Sequence, residues 1–237
     1  MFLYYNTGYM KIQRFFVDSP VVPGGRVVIS DEGFVHQVRK VFRKNIGDRV
    51  GLLDNTGGGY EAEMIGISKD SIEFAISNAS LPVATLDRNI TLYVAIPKKD
   101  KFEWVVEKAT ELGVYRIIPI ISDRTEKQNI KWDRVERIAR EASEQSERGI
   151  LPLIDEPVPL NTITFPENTY VLHTIGEALP VSDISLGDVA VCIGPEGGWS
   201  DVDMEYFASQ KVPSVRLGET ILRAETASIA ICARLLL

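Results

Sequence analysis

The sequence predicts an α/β protein in two parts, a small β-barrel over residues 1–80 and a mostly parallel α/β domain over residues 90–237. Between residues 11 and 80 the apolar runs are short and separated by glycine and proline turns, a pattern typical of a small barrel. After residue 90, strand-like runs alternate with amphipathic helices, which favours a parallel sheet covered by helices. The pattern changes at residues 81–89, which we interpret as a linker, and 237 residues are enough for two modest domains.

The N-terminal part is predicted to contain several strands and one helix. The strand candidates are residues 14–17, 26–29, 49–53, 60–67 and 71–76. The segment 33–44 has apolar residues at helical spacing, and those expected to face the core are Phe34, Val35, Val38, Val41 and Phe42. The run Gly57-Gly58-Gly59 lies between two strands and lacks the Lys and Ser/Thr of a phosphate-binding loop, so it is predicted to be a hairpin turn.

The C-terminal part is predicted to alternate regularly between strands and helices. The strands are expected at residues 90–96, 115–121, 170–175, 189–193 and 212–217. The helices are expected at residues 101–112, 132–147, 201–210 and 225–237. Gly113 ends the first of these helices, as glycine commonly does.

Composition bounds the class of protein. Hydrophobic residues make up 45% and charged residues 25% of the chain, as in a soluble globular protein. No apolar run approaches the roughly 20 residues that span a bilayer, and no signal peptide is recognisable. Cys192 and Cys232 lie in apolar runs and are expected to be buried thiols. A cytoplasmic protein without disulfides or membrane attachment is therefore expected.

Charge is distributed unevenly along the chain. The net charge of −7 argues against a generally basic nucleic-acid binder. Residues 1–81 nevertheless carry nine basic and nine acidic side chains, so this part is neutral and the rest supplies the whole −7. Within residues 1–81, four cations share the face of the predicted helix opposite its apolar side, namely Arg39, Lys40, Arg43 and Lys44. This patch is either a phosphate-binding surface or simply the solvated face of a helix.

Three predicted strands in the second part end in loops that contain glycine. These loops are 173–176, 194–198, and a third that begins at 217–218 and continues into the residues that follow. The carboxyl ends of parallel strands meet at one edge of a sheet, so we expect the three loops to form one binding pocket. Gly194-Pro195-Glu196-Gly197-Gly198 does not fit the dinucleotide fingerprint. Taken alone, each loop could also be an ordinary strand-to-helix turn.

Arg223 stands where the last helix is expected to begin. A helix N-terminus carries about half a positive charge, which favours Glu225 there but not an arginine. A ligand anion or a carboxylate such as Glu196 would explain its position. His36 and His173 are the only histidines and fall in different parts, so neither a metal site of ordinary spacing nor a Ser-His-Asp triad is supported.

Two segments resemble the signature of the SPOUT (α/β-knot) RNA methyltransferases, Gly194-Pro195-Glu196-Gly197-Gly198 and the segment 221–227. More narrowly, they are similar to the branch that methylates N3 of a uridine in 16S ribosomal RNA, the RsmE family. Further matches are Gln13-Arg14-Phe15-Phe16, His36 with Val41-Phe42-Arg43, the segment 108–113, and the segment 141–148. The resemblance spans residues 11 to 237. It departs at Phe42, where the family usually has leucine, and at residues 1–9, which precede the usual start.

The resemblance implies a PUA-like barrel that binds RNA, followed by a SPOUT domain with a deep trefoil knot. It implies S-adenosylmethionine as the methyl donor, 16S ribosomal RNA or the small ribosomal subunit as the partner, a homodimer and no metal. The RNA contacts would be Arg14, His36, Arg39, Lys40, Arg43 and Lys44. The cofactor contacts would be Leu172, His173, Thr174, Gly176, Ile193, Gly194, Pro195, Glu196, Gly197, Gly198, Leu217, Gly218, Ile221, Leu222, Arg223, Thr226 and Ala227. We assign Arg223 to the target base or phosphate, and Glu196 to orienting Arg223 or accepting the N3 proton.

Two other functions remain open at this point. A SPOUT enzyme that methylates another RNA, or a ribose oxygen, would share the pocket but is disfavoured by the matches across the N-terminal part. A non-catalytic ribosome-assembly factor would share the barrel but is disfavoured by the intact loops.

Overall fold

The computed structural model describes residues 12–84, 88–126, 129–178 and 187–237. These residues form two compact units. The first unit contains the described residues up to 84 together with residues 144–150, and the second contains the rest. The domain boundaries expected at residues 80 and 90 stay predictions, whereas the return of residues 144–150 to the first unit has no signal in the sequence.

The first unit is built on a five-stranded sheet with the strand order β1-β3-β4-β5-β2. Its strands are β1 Arg14–Phe16, β2 Arg26–Ile29, β3 Arg49–Leu53, β4 Gly59–Ile67 and β5 Ile72–Ser80. β1 pairs parallel with β3, and the remaining pairs are antiparallel. All five predicted strands are therefore confirmed, although β5 continues four residues beyond its expected end. The hairpin turn predicted at Gly57-Gly58-Gly59 is also confirmed, because β3 and β4 pair on either side of it.

The helix expected over residues 33–44 is shorter and less regular than predicted. It consists of α1, Glu32–His36, capped by the Asp31 carboxylate, and a π-helical turn at Gln37–Val41. A π turn takes an extra residue, which rotates the following side chains relative to an α-helix. The inward position predicted for Val41 is accordingly wrong, since its side chain is exposed. Phe42 lies at the edge of the core and packs edge-on against Phe15.

The segment 144–150 is held in the first unit by charged side chains. The backbone N–H of Phe16 donates to the Glu144 carboxylate at 3.0 Å, and the Arg14 guanidinium pairs with Glu147 at 3.0 Å. Burial lowers the pKa of Arg148 to about 10. Gly149 approaches the backbone of Gly57 so closely that an added Cβ would lie 3.1 Å from it. The segment therefore closes over the hairpin turn within this unit.

The second unit contains a seven-stranded sheet in which every pair is parallel, as predicted. The strand order is β12-β10-β11-β6-β7-β8, with β9 also paired to β7. Its strands are β6 Ile90–Ala95, β7 Arg116–Ile121, β8 Leu153–Ile154, β9 Val158–Pro159, β10 Thr169–Ala178, β11 Val189–Ile193 and β12 Ser214–Arg216. Its α-helices are α2 Lys99–Leu112, α3 Trp132–Gln145, α4 Asp201–Ser209 and α5 Ala224–Leu236. The short strands β8 and β9 were not predicted.

Both faces of this sheet are buried, as a parallel sheet requires. On one face, Leu92 and Val191 pack against apolar residues of α2, α3 and α5. On the other face, Cys192 packs with Phe207 of α4. Burial raises the pKa of both cysteine thiols, that of Cys232 to about 12. Both cysteines are free and buried, as predicted.

The strand end predicted at Gly176 is wrong. β10 does not stop at Gly176 but continues to Ala178, with a shift in its pairing to β12 between Leu172 and Glu177. An added Cβ at Gly176 would lie 2.7 Å from the Val215 backbone. Glycine is thus required there because β10 and β12 approach closely, and not because the chain turns.

Candidate functional site

A cavity of about 460 Å³ lies beyond the carboxyl ends of β11 and β12 and beside residues 172–174 in the middle of β10. The 194–198 and 217–218 loops both contribute to it. His173 and Thr174 of the third selected segment also line it, although that segment belongs to β10, so the prediction of one shared pocket is confirmed. Predicted residues that line it are Leu172, His173, Thr174, Ile193, Gly194, Pro195, Glu196, Gly198, Leu217, Gly218, Ile221, Leu222, Arg223 and Ala227. Lining residues that the sequence analysis missed are Lys101, Trp199, Arg216, Thr220 and Ala224.

Three predicted cofactor contacts do not line this cavity. Gly176 lies inside β10 against β12. The carbonyl of Gly197 accepts a hydrogen bond from the Arg124 guanidinium at 2.9 Å, which ties the 194–198 loop to the segment that follows β7. Thr226 is exposed in the first turn of α5. Arg124 was not recognised from the sequence, because only the fold places it beside a loop 73 residues away.

Trp199 packs between the 194–198 loop and β10 and forms part of the cavity wall. Its indole N–H donates to the Leu172 carbonyl at 3.0 Å, and its ring packs edge-on against Phe207 at 4.9 Å between ring centres. The ring lies so close to Gly194 that an added Cβ would be 3.0 to 3.2 Å from three of its atoms. A larger residue here would require the indole to shift by a few tenths of an ångström. The loop then turns at Gly198, which has a φ of 69°.

The start of α4 also stabilises the 194–198 loop, which it directly follows. The Ser200 hydroxyl accepts from the Asp203 N–H at 3.2 Å, and the Asp203 carboxylate accepts from the Ser200 N–H at 3.0 Å. This reciprocal pair is a capping box, which fixes where a helix begins. Asp203 also accepts from the N–H of Asp123 at 3.2 Å, so its carboxylate links α4 to the segment after β7.

Arg223 is the N-cap residue of α5 and has an extended backbone, with φ −68° and ψ 155°. Its side chain is exposed and borders the cavity. Within the described parts of the chain its guanidinium makes no hydrogen bond or ion pair. The neighbouring cation Arg216 is instead paired with Glu219 at 2.6 Å. Arg223 is thus positioned at the cavity with its hydrogen-bonding capacity available.

Glu196 is paired with a lysine that the sequence analysis did not select. Its carboxylate lies 3.5 Å from the ammonium of Lys101, which also lies 3.3 Å from the carboxylate of Glu225. No contact between Glu196 and Arg223 occurs among the described residues. The orienting role assigned to Glu196 stays a prediction.

His173 has a defined orientation at the cavity wall. Its Nδ1 accepts a hydrogen bond from the backbone N–H of Ile175 at 3.0 Å. A neutral His173 therefore carries its ring proton on Nε2. This makes the side chain a hydrogen-bond donor on its other edge.

The predicted RNA contacts lie in the first unit, and all but one are near one another. His36, Arg39 and Lys40 line a second cavity of about 460 Å³ together with Lys69. Arg39 donates to the carbonyls of Ser68 and Lys69 at 2.9 and 3.0 Å, which holds it against the β4–β5 turn. Arg43 and Lys44 follow directly, and Arg43 has a positive φ of 53°.

Arg14 is the exception among the predicted RNA contacts. Its side chain is only 7% exposed, and its guanidinium donates to the Pro82 carbonyl and the Glu147 carboxylate. Desolvation lowers its pKa, and the nearby Glu147 partly offsets this. The geometry assigns Arg14 to holding the segment 144–150, and its contact with RNA remains untested.

Neither a metal centre nor a membrane span is present in what the structure describes. No group of three or more His, Cys, Asp and Glu side chains within the described ranges is placed to hold a metal ion. Across the same ranges, no helix has the length and apolar character needed to cross a bilayer.

Comparison with known proteins places the chain among RNA-modifying enzymes. A family model described as an RNA methyltransferase domain matches residues 84–236, and one described as an RNA methyltransferase PUA domain matches residues 38–77. Ribosomal RNA small subunit methyltransferase E of Rickettsia conorii is 30% identical over 95% of both chains. The Bacillus subtilis protein of the same name is 29% identical over 82% of this chain and 84% of its own.

Two solved structures are similar over nearly their whole length. Ribosomal RNA small subunit methyltransferase E of Neisseria gonorrhoeae, bound to S-adenosyl methionine, has a TM-score of 0.84 at 26% identity, covering 94% of this chain and 95% of its own. A Legionella pneumophila methyltransferase in complex with the same cofactor has a TM-score of 0.86 at 26% identity, covering 95% and 97%.

Proposed function

The chain belongs to the RNA methyltransferase family, and from that premise we propose that it is an S-adenosylmethionine-dependent methyltransferase of small-subunit ribosomal RNA. The observation that carries this conclusion is the cavity formed by three neighbouring strands and the glycine loops after two of them, in a chain whose fold matches a cofactor-bound relative along both units. The match to the RNA methyltransferase PUA domain favours this branch over SPOUT enzymes that lack such a domain.

The cavity is suited to S-adenosylmethionine. Its volume falls within the range of roughly 300–1,000 Å³ typical of small-molecule sites. Leu172, Ile193 and Leu222 provide apolar surface for the flat base, and the absence of side chains at Gly194 and Gly218 brings backbone groups close to a ligand. These loops would hold the cofactor.

The finer chemistry that we propose is transfer to N3 of a specific uridine in 16S ribosomal RNA. When bound, S-adenosylmethionine supplies a methyl group on a sulfonium, which N3 takes up as the carbon–sulfur bond breaks and the N3 proton leaves. The sulfonium is already activated, so the protein's main contribution is to position the two reactants.

Arg223 is proposed to hold the target base or its phosphate. Its guanidinium borders the cavity and has no other ion pair in the described chain. A cation at this place stabilises the negative charge that develops on the uracil ring as N3 loses its proton. Glu196 is proposed as the proton acceptor or as a second orienting group, and its ion pair with Lys101 competes with the second of these roles.

RNA binding is proposed for the basic group in the first unit, which we define as His36, Arg39, Lys40, Arg43 and Lys44. Cations on one surface neutralise phosphates whatever their sequence. Single-stranded or splayed nucleotides are the usual targets of specific RNA-binding modules. A homodimer and the trefoil knot are parts of the same proposal that rest on the family alone, and a cytoplasmic location rests on the composition of the chain.

Nucleoside mass spectrometry tests the proposal directly. Small ribosomal subunits or 16S ribosomal RNA that lack the modification are incubated with the protein and methyl-labelled S-adenosylmethionine, and the RNA is digested. We expect labelled N3-methyluridine. A labelled ribose would refute the assignment to N3, and the absence of any label despite cofactor binding would indicate a non-catalytic assembly factor.

A further inference from the structure

Lys101, near the start of α2, pairs with one glycine loop of the cavity and with the helix that follows the other. Its ammonium lies 3.5 Å from the carboxylate of Glu196, in the loop after β11. The same ammonium lies 3.3 Å from the carboxylate of Glu225. Glu225 is in the first turn of α5, directly after the loop that begins at 217–218. One cation from a third element therefore joins two carboxylates that lie 29 residues apart in the sequence.

The two carboxylates are held unequally. The side chain of Glu225 is 13% exposed, and its second oxygen is buried without a hydrogen-bond partner among the described residues. A buried carboxylate with few partners is unfavourable unless a cation compensates it. The side chain of Glu196 is 41% exposed and lies in a loop rich in glycine. Lys101 is consequently anchored on Glu225, and the loop that carries Glu196 is the partner it restrains.

We propose that Lys101 is a positioning residue, which holds the two loops at the separation that the methyl donor requires and fixes the Glu196 side chain beside it. This inference rests on the proposed function of the cavity. The three groups carry a net charge of −1 when ionised. Without Lys101 the charge is −2, and repulsion between the two carboxylates favours separation of the loops.

The same helix offers a matched control. Lys108 also lies between two carboxylates, those of Glu107 and Glu111, at 2.8 and 2.7 Å. Its side chain is 31% exposed, compared with 24% for Lys101. It does not line the cavity. Lys108→Met therefore removes a comparable ion-pair network from α2 without touching the loops.

The test is titration calorimetry of the full chain with S-adenosylmethionine, combined with steady-state kinetics on the RNA substrate. We expect Lys101→Met to raise the cofactor Kd and KM about tenfold, a change within the range measured for residues of one ion-pair network. The expected change in kcat is smaller, because Lys101 acts on the loops rather than on the reacting atoms. Lys101→Arg should restore most of the affinity, and Lys108→Met should leave Kd unchanged.

A double-mutant cycle keeps the proposal testable if Lys101→Met folds poorly. Replacing Glu225 by Gln removes the charge that needs Lys101, so the double variant Lys101→Met/Glu225→Gln should regain thermal stability. This double variant should still bind the cofactor more weakly than Glu225→Gln alone, because the loop that carries Glu196 is no longer restrained.

The assignment of Lys101 would be overturned by unchanged cofactor affinity in Lys101→Met or by an equal loss in Lys108→Met. It would also be overturned if the double variant bound the cofactor as tightly as Glu225→Gln alone. A wild-type protein that does not bind S-adenosylmethionine would instead refute the proposed function of the cavity.

Discussion

Gly194→Ala is the sharpest test of how the cavity wall is built. The new methyl group would lie 3.0 to 3.2 Å from the Trp199 indole, which is buried and packed against Phe207. Overpacking of this kind costs about 1–3 kcal/mol. If the ring shifts, its hydrogen bond to the Leu172 carbonyl is lost as well, which adds about 1 kcal/mol. We therefore expect the free energy of unfolding of the second unit to fall by about 2–4 kcal/mol.

Urea unfolding followed by tryptophan fluorescence measures this change in one unit, because Trp104, Trp132 and Trp199 all lie in the second unit. Gly218→Ala is the control, since an added Cβ there meets no atom within 4 Å and the backbone is not left-handed. Its stability should stay within about 0.5 kcal/mol of wild type. If Gly194→Ala is equally harmless, the described packing of the indole against the loop is wrong.

Three further predictions follow from the charges and thiols. Arg223→Ala should lower kcat/KM roughly a hundredfold or more, with a much smaller change in the cofactor Kd and no change in stability, as measured by methylation kinetics beside calorimetry. Undiminished turnover would refute the role of Arg223. Neutralising Arg39 and Arg43 should weaken RNA binding and reduce the slope of log K against log salt by about 0.7 per lost phosphate contact, whereas an unchanged slope would make them a solvated surface. Burial raises the pKa of Cys232 from 9.0 to about 12 and also raises the pKa of Cys192. The stability that the two buried thiols contribute is therefore complete below about pH 9 and is lost as the pH rises toward 12, which denaturation midpoints across this range would measure. Rapid reaction of either thiol with a thiol reagent at pH 8 in the folded protein would contradict this prediction.

Much of the fold could be predicted from the sequence because its signals are local. The alternation of strands and amphipathic helices after residue 90 identified the parallel sheet, and turn residues separated the five strands before it. The π-helical turn at Gln37–Val41 was missed because the apolar spacing of this segment matches an ordinary helix equally well. Gly176 was misread for a similar reason. A glycine that permits close packing of two strands looks, in sequence, like one that ends a strand.

The sequence by itself determined where the cavity lies. Parallel strands bring their carboxyl ends to one edge, so glycine loops at the ends of β11 and β12 had to meet there. Only the tertiary structure decided what surrounds those loops. Lys101 pairs with Glu196 and Glu225, which are 95 and 124 residues further along the chain. Residues 144–150 join the first unit, whose last strand ends at Ser80. Such contacts depend on how whole elements are placed in space, and the spacing of residues along the chain carries no record of that placement.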